Sequence, residues 1–194
     1  RPDLVPEPLI KELEKLQDRV PPFDTEIAKQ IIEKEVQKPI RDVFIYFDEK
    51  PIGPASIGQV HRAELRDGRE LAIKVQYPGI RRSIDSDVDN VATLLRLINL
   101  VPQGVDFAPV LAEAKQQLHA EADYLAEAGH MDAYRQRLAE LPGFDLPRVD
   151  RDLTTRDVLA MDYLEGAPIE SLAQGPAATR DRVAERLLGL ALHE

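Results

Sequence analysis

The 194-residue sequence contains no cysteine, no tryptophan and only four histidines. The absence of cysteine excludes disulfide bonds, thiolate catalysis and cysteine-ligated metals within this chain. The histidines show none of the spacings that metal ligands share, so we expect surface or structural roles for each. Internal repeats and low-complexity segments are also absent. The chain therefore reads as an ordinary globular sequence without a metal framework.

Positive charge and long apolar runs are scarce as well. The sequence has 25 lysines and arginines against 35 aspartates and glutamates, a net charge of −10. This balance argues against a broad electrostatic footprint for nucleic acid or anionic lipid. The longest apolar candidate, residues 91–101, is too short to cross a bilayer and carries Arg96. No signal peptide is visible. Because the chain starts at Arg1 and stops within an apolar helical pattern, we expect it to be a piece of a longer protein.

Residues 59–65 and 70–76 alternate in the way that predicts two antiparallel strands. Between them, Asp67-Gly68 is a strong signal for a hairpin turn, because glycine accepts the positive φ that such a turn requires. Lys74 lies inside the second strand. A lone strand lysine is usually a surface residue whose stem packs along the sheet, and a buried one needs an anionic partner.

The sequence around Lys74 favours a functional lysine. Ala72-Ile73-Lys74 has the form of the kinase element in which a strand lysine holds nucleotide phosphates and pairs with a helix glutamate. Together with GPASIGQVH before it and VQYPG after it, this string closely resembles the UbiB / aarF-domain-containing kinase (ADCK) family. These atypical kinase-like proteins are linked to coenzyme Q (ubiquinone) biosynthesis. The resemblance implies an α+β fold, namely a protein-kinase-like N-lobe with an antiparallel sheet of about five strands, a regulatory helix and family-specific extra helices. Most of the C-lobe is expected to be missing.

The remaining patterns predict an element order. Helices are predicted in residues 1–22, at 26–36 with an Asp24-Thr25 cap, at 83–100, over one long stretch at 107–141, and at 179–193. Further strands are predicted at 43–47, 146–149 and 158–163. We divide the chain into an N-terminal helical extension (1–42), the N-lobe with its inserted helix and long regulatory helix (43–166), and the start of a C-lobe (167–194).

Three carboxylates on the predicted long helix are candidates for pairing with Lys74. On a continuous helix, Asp123 and Glu127 share a face, while Glu121 lies about 120° around from Glu127. An acidic helix face is normally only solvated. The resemblance implies that Glu121 and Asp123 form the family's regulatory Glu-x-Asp motif and that Glu127 is the partner of Lys74. The Lys-x-Gly-Gln element that this motif faces in the family is absent from the sequence.

Residues 158–166 have the pattern of a kinase hinge, an apolar strand followed by a bulky residue, an acid, an aromatic and a glycine. A buried strand ending in a turn gives the same pattern, but the position after Lys74 and the acidic helix favours a hinge. Kinase architecture then implies a set of nucleotide-binding residues: Ile52, Ala55, Ser56, Val60, Ala72, Lys74, Met161, Asp162, Tyr163 and Leu164. Gly53 and Pro54 replace alanines of the family's loop, which leaves the choice between ATP and ADP open.

The resemblance therefore implies an ATP- or ADP-binding part of an atypical kinase or ATPase that supports coenzyme Q biosynthesis and uses Mg²⁺ in the full-length protein. The alternative is a non-catalytic pseudokinase module that binds a protein or lipid partner. Expected partners are the nucleotide and either quinone-biosynthesis proteins or membrane lipid, with no nucleic acid. The expected location is cytoplasmic and peripheral to a bacterial inner membrane, or mitochondrial or plastid. The catalytic-loop and metal-binding acids are expected beyond Glu194, so we predict no metal ligand in this chain.

Overall fold

The structure is a computed structural model that describes residues 22–97, 108–141 and 143–192. The helix predicted near the N-terminus lies outside the described residues. The predicted α+β fold with a five-stranded antiparallel sheet is confirmed. The strands are β1 (Phe44–Phe47), β2 (Gly53–Ala55), β3 (Gly58–Leu65), β4 (Glu70–Gln76) and β5 (Val158–Asp162).

The sheet has the order β1-β3-β4-β5, and β2 pairs with the start of β3. The longest pairing joins β3 to β4 through the turn at Asp67-Gly68, where Gly68 has a φ of 84°. The prediction of a turn at Asp67-Gly68 rested on this positive φ, which glycine adopts without strain. Lys74 of β4 lies opposite Val60 of β3 and Leu159 of β5.

The described residues also form six α-helices. They are α1 (Thr25–Val36), α2 (Ile40–Val43), α3 (Ile80–Leu97), α4 (Ala108–Glu121), α5 (Tyr124–Arg137) and α6 (Ala177–Ala191). Short 3-10 helices follow α5 at Leu138–Glu140 and precede α6 at Ile169–Gln174. Among the helices of the described part of the chain, none is long and apolar enough to cross a membrane.

The prediction of one helix over residues 107–141 is wrong. The chain turns at Ala122 and Asp123, so that α4 ends at Glu121 and α5 begins at Tyr124. The Asp123 side chain accepts hydrogen bonds from the backbone N–H groups of Leu125 (3.1 Å) and Ala126 (3.2 Å), which makes it the N-cap of α5. The predicted shared face of Asp123 and Glu127 is therefore wrong too, because Asp123 precedes the helix on which Glu127 lies.

The strand predicted at residues 146–149 is also wrong, and β2 takes its place as the fifth strand. Val149 makes an isolated bridge to Met161, flanked by single hydrogen bonds from Asp150 N–H to Ala160 and from Asp162 N–H to Arg148. Pro147 has no N–H to extend this pairing. Other boundaries move by only a few residues: β1 starts at Phe44 after the short α2, α3 starts at Ile80, and α6 starts at Ala177.

Each face of the sheet carries its own apolar cluster. On one face, α1 packs Ala28 and Ile32 against alternate residues of the central strands, among them Ile73 and Val75. On the other face, α5 contributes Tyr124 and Ala128 to a cluster with Ile57, Ile84, Ala122 and Leu159. The second face is the one that carries Lys74, and it is here that the site is built.

Candidate nucleotide-binding site

The strand register brings four of the predicted nucleotide-binding residues to one face of the sheet. Ala72 and Lys74 alternate with the buried Leu71, Ile73 and Val75 of β4, which point to the opposite face. Val60 lies directly across from Lys74, and Met161 lies directly across from Ala72. Directly opposed residues of antiparallel strands project to the same side. Val60, Ala72, Lys74 and Met161 thus form a continuous patch.

The ammonium group of Lys74 forms an ion pair with both carboxylate oxygens of Glu127 on α5. Its Nζ lies 2.9 Å from Oε1 and 3.0 Å from Oε2 of the carboxylate. The Lys74 side chain is 16 % exposed, so water screens this pair less than it screens a surface pair. The predicted contact between these residues is present, and it satisfies the charge of a largely buried lysine.

Tyr124 forms the second contact of Lys74 with α5. The Lys74 ammonium lies 4.8 Å from the centre of the Tyr124 ring, within the range of a cation–π interaction. Tyr124 and Glu127 are three residues apart and therefore neighbours on the helix surface. Burial, together with the nearby charges of Glu127 and Asp157, raises the pKa of the Tyr124 phenol, so this hydroxyl stays neutral.

The two acidic residues of the predicted regulatory motif have different environments. Asp123 caps α5, whereas Glu121 is exposed and its side chain contacts no partner among the described residues. Farther along α5, Arg151 donates hydrogen bonds to the Ala128 carbonyl (3.1 Å) and the Asp132 carboxylate (3.0 Å). The helix that carries Glu127 is thus held at its start and along its length.

Gly53 and Pro54, which replace alanines of the family's loop, lie in a tight hairpin. Gly53, Pro54 and Ala55 form β2, which pairs with Val60, Gln59 and Gly58 of β3 across the turn at Ser56 and Ile57. A Cβ atom on Gly58 would lie 2.2 Å from the Val75 carbonyl oxygen, so glycine is required by the close approach of β4. Ile57 is buried in the cluster beneath α5, which fixes the turn. Ser56 is exposed at the tip, and Ala55 is half-buried.

Ile52 lies at the open end of this hairpin. Its N–H donates to the Val60 carbonyl (2.8 Å), which brings two predicted nucleotide-binding residues together, and Ile52 is 46 % exposed.

Hydrogen bonds and a ring contact hold the predicted hinge at the end of β5 and just beyond it. The Asp162 carboxylate accepts a hydrogen bond from the Arg148 N–H (3.1 Å), and the Tyr163 N–H donates to the Glu70 carbonyl (2.9 Å). The Arg62 guanidinium lies 4.8 Å from the centre of the Tyr163 ring and also pairs with Glu70. The backbone N–H of Leu164 has no hydrogen-bond partner within the described part of the chain. It is therefore free to donate to a ligand.

The order of these elements along the chain matches a known domain. Residues 15–194 match the ABC1 atypical kinase-like domain. The chain belongs to the ABC1 atypical kinase-like family. This confirms the resemblance to UbiB / aarF-domain-containing kinases that the Lys74 region indicated.

Relatives of this ABC1-type chain are named as atypical kinases. The chain is 38 % identical over 154 residues to "Atypical kinase coq-8, mitochondrial" of Caenorhabditis elegans, which covers 79 % of the chain and 20 % of that protein. It is 32 % identical over 191 residues to "Atypical kinase COQ8, mitochondrial" of Saccharomyces cerevisiae, covering 98 % of the chain and 38 % of that protein. The chain thus spans well under half the length of these relatives.

A solved structure from Mycobacterium tuberculosis, described as a complex of Rv3197 with erythromycin, has the same fold. It superposes on this chain with a TM-score of 0.69 at 28 % identity, covering 92 % of the chain and 46 % of that structure. The five-stranded sheet with its helices is therefore the N-lobe of an ABC1 atypical kinase-like domain.

Two residues at this N-lobe site were not predicted from the sequence. Tyr124 could have been found from its i,i+3 spacing to Glu127, which places both on one helix face. Gln76, whose Nε2 donates to the Ala122 carbonyl before α5 (2.8 Å), could have been found from the period of β4, because it follows Lys74 by two residues on the same face. In the described ranges, no group of three or more histidine, aspartate or glutamate side chains is arranged to hold a metal ion.

Proposed function

We propose that this chain is the nucleotide-binding N-lobe of an atypical kinase or ATPase that takes ATP or ADP. The observation that carries the proposal is the Lys74–Glu127 ion pair between the sheet and α5. In kinases, a strand lysine held by a helix glutamate in this way contacts the phosphates of the nucleotide. Lys74 would hold the phosphates, and Glu127 would keep the ammonium group in place.

The surroundings of Lys74 fit a nucleotide in two further respects. Val60, Ala72 and Met161 give the face an apolar surface on which an adenine ring can lie. The free N–H of Leu164, beyond the end of β5, is a donor of the kind that adenine requires. The hairpin tip at Ser56 would cover the phosphates.

Magnesium would arrive with the nucleotide and neutralise phosphate charge. The described residues provide Lys74 on the phosphate side and no cluster of acids for the metal. We therefore assign to this chain the holding of the nucleotide and assign metal binding to other parts of the protein.

We place the full-length protein in coenzyme Q metabolism at a membrane surface, because the family that the sequence resembles is linked to that pathway. Two curated relatives are named as mitochondrial atypical kinases. Quinone-biosynthesis proteins or membrane lipid would then be its partners.

Nucleotide binding by the full-length protein tests the proposal. In calorimetric titration with ATP and with ADP, Lys74→Ala should weaken binding at least about 10-fold, because the phosphate contact is lost. Lys115→Ala is a matched control, because Lys115 forms its ion pair with Asp89 (2.8 Å), between α3 and α4, and not with Glu127. Equal affinities for wild type and Lys74→Ala would contradict the proposal. ATP turnover by the full-length protein that is lost in Lys74→Ala would support an enzyme, whereas binding without turnover would favour the non-catalytic module.

A further inference from the structure

Gln76 is a buried glutamine on the same strand face as Lys74. It is 3 % exposed, and its Nε2 donates hydrogen bonds to two backbone carbonyls, those of Ala122 (2.8 Å) and Arg156 (3.2 Å). The first carbonyl lies at the turn between α4 and α5, and the second lies in the segment that leads into β5. One amide group therefore links β4 to the turn between α4 and α5 and to the segment before β5.

The Ala122 carbonyl needs such a partner. The last carbonyl groups of a helix have no N–H donor within the helix, and a buried carbonyl without a donor is costly. Ala122 is 1 % exposed and follows the end of α4 directly. Gln76 supplies the donor, and it thereby stabilises the turn that ends α4 and lets α5 start in a new direction.

The position of this turn sets the position of Glu127. Asp123 caps α5 immediately after Ala122, and the Glu127 N–H donates to the Asp123 carbonyl (3.0 Å) in the first turn of α5. Because Gln76 and Lys74 are two residues apart on β4, the strand that carries the lysine also fixes the start of the helix that carries its partner. Arg151 also contacts α5, but from an exposed position.

We propose that Gln76 is a positioning residue that sets the start of α5 and so holds Glu127 at Lys74 before nucleotide binds. This inference rests on the proposed role of the Lys74–Glu127 pair in nucleotide binding. It assigns Gln76 no contact with the nucleotide. Its effect on affinity should therefore pass entirely through Glu127.

Gln59 provides a matched control within the same sheet. It is also buried (1 % exposed), and its Nε2 also donates to a backbone carbonyl, that of Phe23 (3.2 Å). In both glutamines the Oε1 atom is buried without a partner among the described residues. Gln59 lies opposite Val75, however, and so on the sheet face away from Lys74. Gln76→Met and Gln59→Met each remove a buried amide and keep the side-chain length.

The test is nucleotide affinity of the full-length protein in a double-mutant cycle. Both methionine variants should lower the unfolding temperature, but only Gln76→Met should weaken ATP or ADP binding, by about 10-fold. Glu127→Gln should weaken binding in the wild-type background and add little in the Gln76→Met background. Full additivity of the two changes, or unchanged affinity in folded Gln76→Met, would overturn the inference. Failure of Lys74→Ala and Glu127→Gln to affect affinity would instead overturn the proposed function.

Hydrogen exchange on the wild-type protein gives a second measurement that does not depend on a variant folding. If the start of α5 is fixed by Gln76, the Glu127 amide should be protected without nucleotide, and nucleotide should change its exchange less than about threefold. Protection that appears only when nucleotide is added would overturn the inference.

Discussion

The ammonium group of Lys74 lies 4.8 Å from the centre of the Tyr124 ring, and the Tyr124 side chain is fully buried. The ring and the Glu127 carboxylate come from the same face of α5, so one helix supplies both contacts that hold the lysine. A charged ammonium group on a sheet face is stabilised here by a carboxylate and by the negative face of an aromatic ring. The arrangement leaves the Lys74 side chain extended toward α5.

Tyr124 should act through its ring and not through its hydroxyl. The hydroxyl is buried without a hydrogen-bond partner in the described residues. Tyr124→Phe should therefore leave the free energy of unfolding unchanged or raise it by up to about 1 kcal/mol, because an unpaired buried polar group is removed. Tyr124→Leu should lower it by about 2 kcal/mol and weaken nucleotide binding, since the ring beneath Lys74 is lost. Urea unfolding of both variants checks this, and a clear loss of stability in Tyr124→Phe would contradict it.

Local signals in the sequence were sufficient to predict the centre of the fold. The turn at Asp67-Gly68 and the alternation on either side of it gave the β3–β4 hairpin and the face on which Lys74 lies. Both signals depend only on neighbouring residues. The N-cap at Asp24 could be predicted for the same reason, and its carboxylate accepts the Glu26 N–H at 2.9 Å.

Asp123 has a side chain of the type that caps helices, but this one local signal was too weak to predict the break between α4 and α5. No glycine or proline marks it, and the apolar period continues through Ala122. The turn depends on the Gln76 amide, which lies 46 residues earlier in the chain. Likewise the strand β2, at residues 53–55, was not predicted, and it contains Pro54. This proline is tolerated there because β2 is short and at the edge of the sheet, where no further strand needs its N–H.

His61 should make the fold less stable in mild acid. It is fully buried, its Nδ1 lies 2.9 Å from the Asp48 carbonyl oxygen, and its Nε2 lies 2.9 Å from the Gln59 amide nitrogen. Neutral imidazole with the proton on Nδ1 satisfies both contacts. Burial lowers the pKa of His61 below its ordinary value of 6.5, against the opposing effect of the Asp48 carbonyl.

The sign of the effect follows from the proton balance. As the pH falls below 6.5, the unfolded chain takes up a proton at His61 that the folded chain binds only at lower pH. The contribution of neutral His61 to stability is thus fully present above pH 6.5 and is lost as the pH falls toward the pKa of His61 in the folded state. Urea unfolding at about pH 7.5 and about pH 5.5 should show this loss in wild type and a smaller one in His61→Gln. The exposed His130 provides the control, and His130→Gln should keep the wild-type pH dependence.

Two glycines of the β2–β3 hairpin should respond differently to the same substitution. A Cβ atom on Gly58 would lie 2.2 Å from the Val75 carbonyl oxygen, whereas a Cβ atom on Gly53 would have nothing within 4 Å. Gly58→Ala should lower the free energy of unfolding by about 2 kcal/mol or more, because β4 must move. Gly53→Ala should change it by less than about 0.5 kcal/mol. Similar losses in thermal unfolding of the two variants would show that β3 and β4 are not in this close contact.

In the described part of the chain, the N-caps Asp24 and Asp123 allow a comparison of a purely structural cap with one that also positions a site residue. Asp24 caps α1, which packs on the sheet face away from Lys74, and Asp123 caps α5, which carries Glu127. Replacing either with alanine should lower the free energy of unfolding by about 1 kcal/mol, the usual loss for such a cap. Only Asp123→Ala should also weaken ATP or ADP binding by the full-length protein, since the Leu125 and Ala126 N–H groups would lose their acceptor and Glu127 would be held less firmly. Calorimetric titration of the two variants beside their unfolding curves separates the effects. Equal affinities at equal loss of stability would show that the start of α5 has no influence on the Lys74–Glu127 pair.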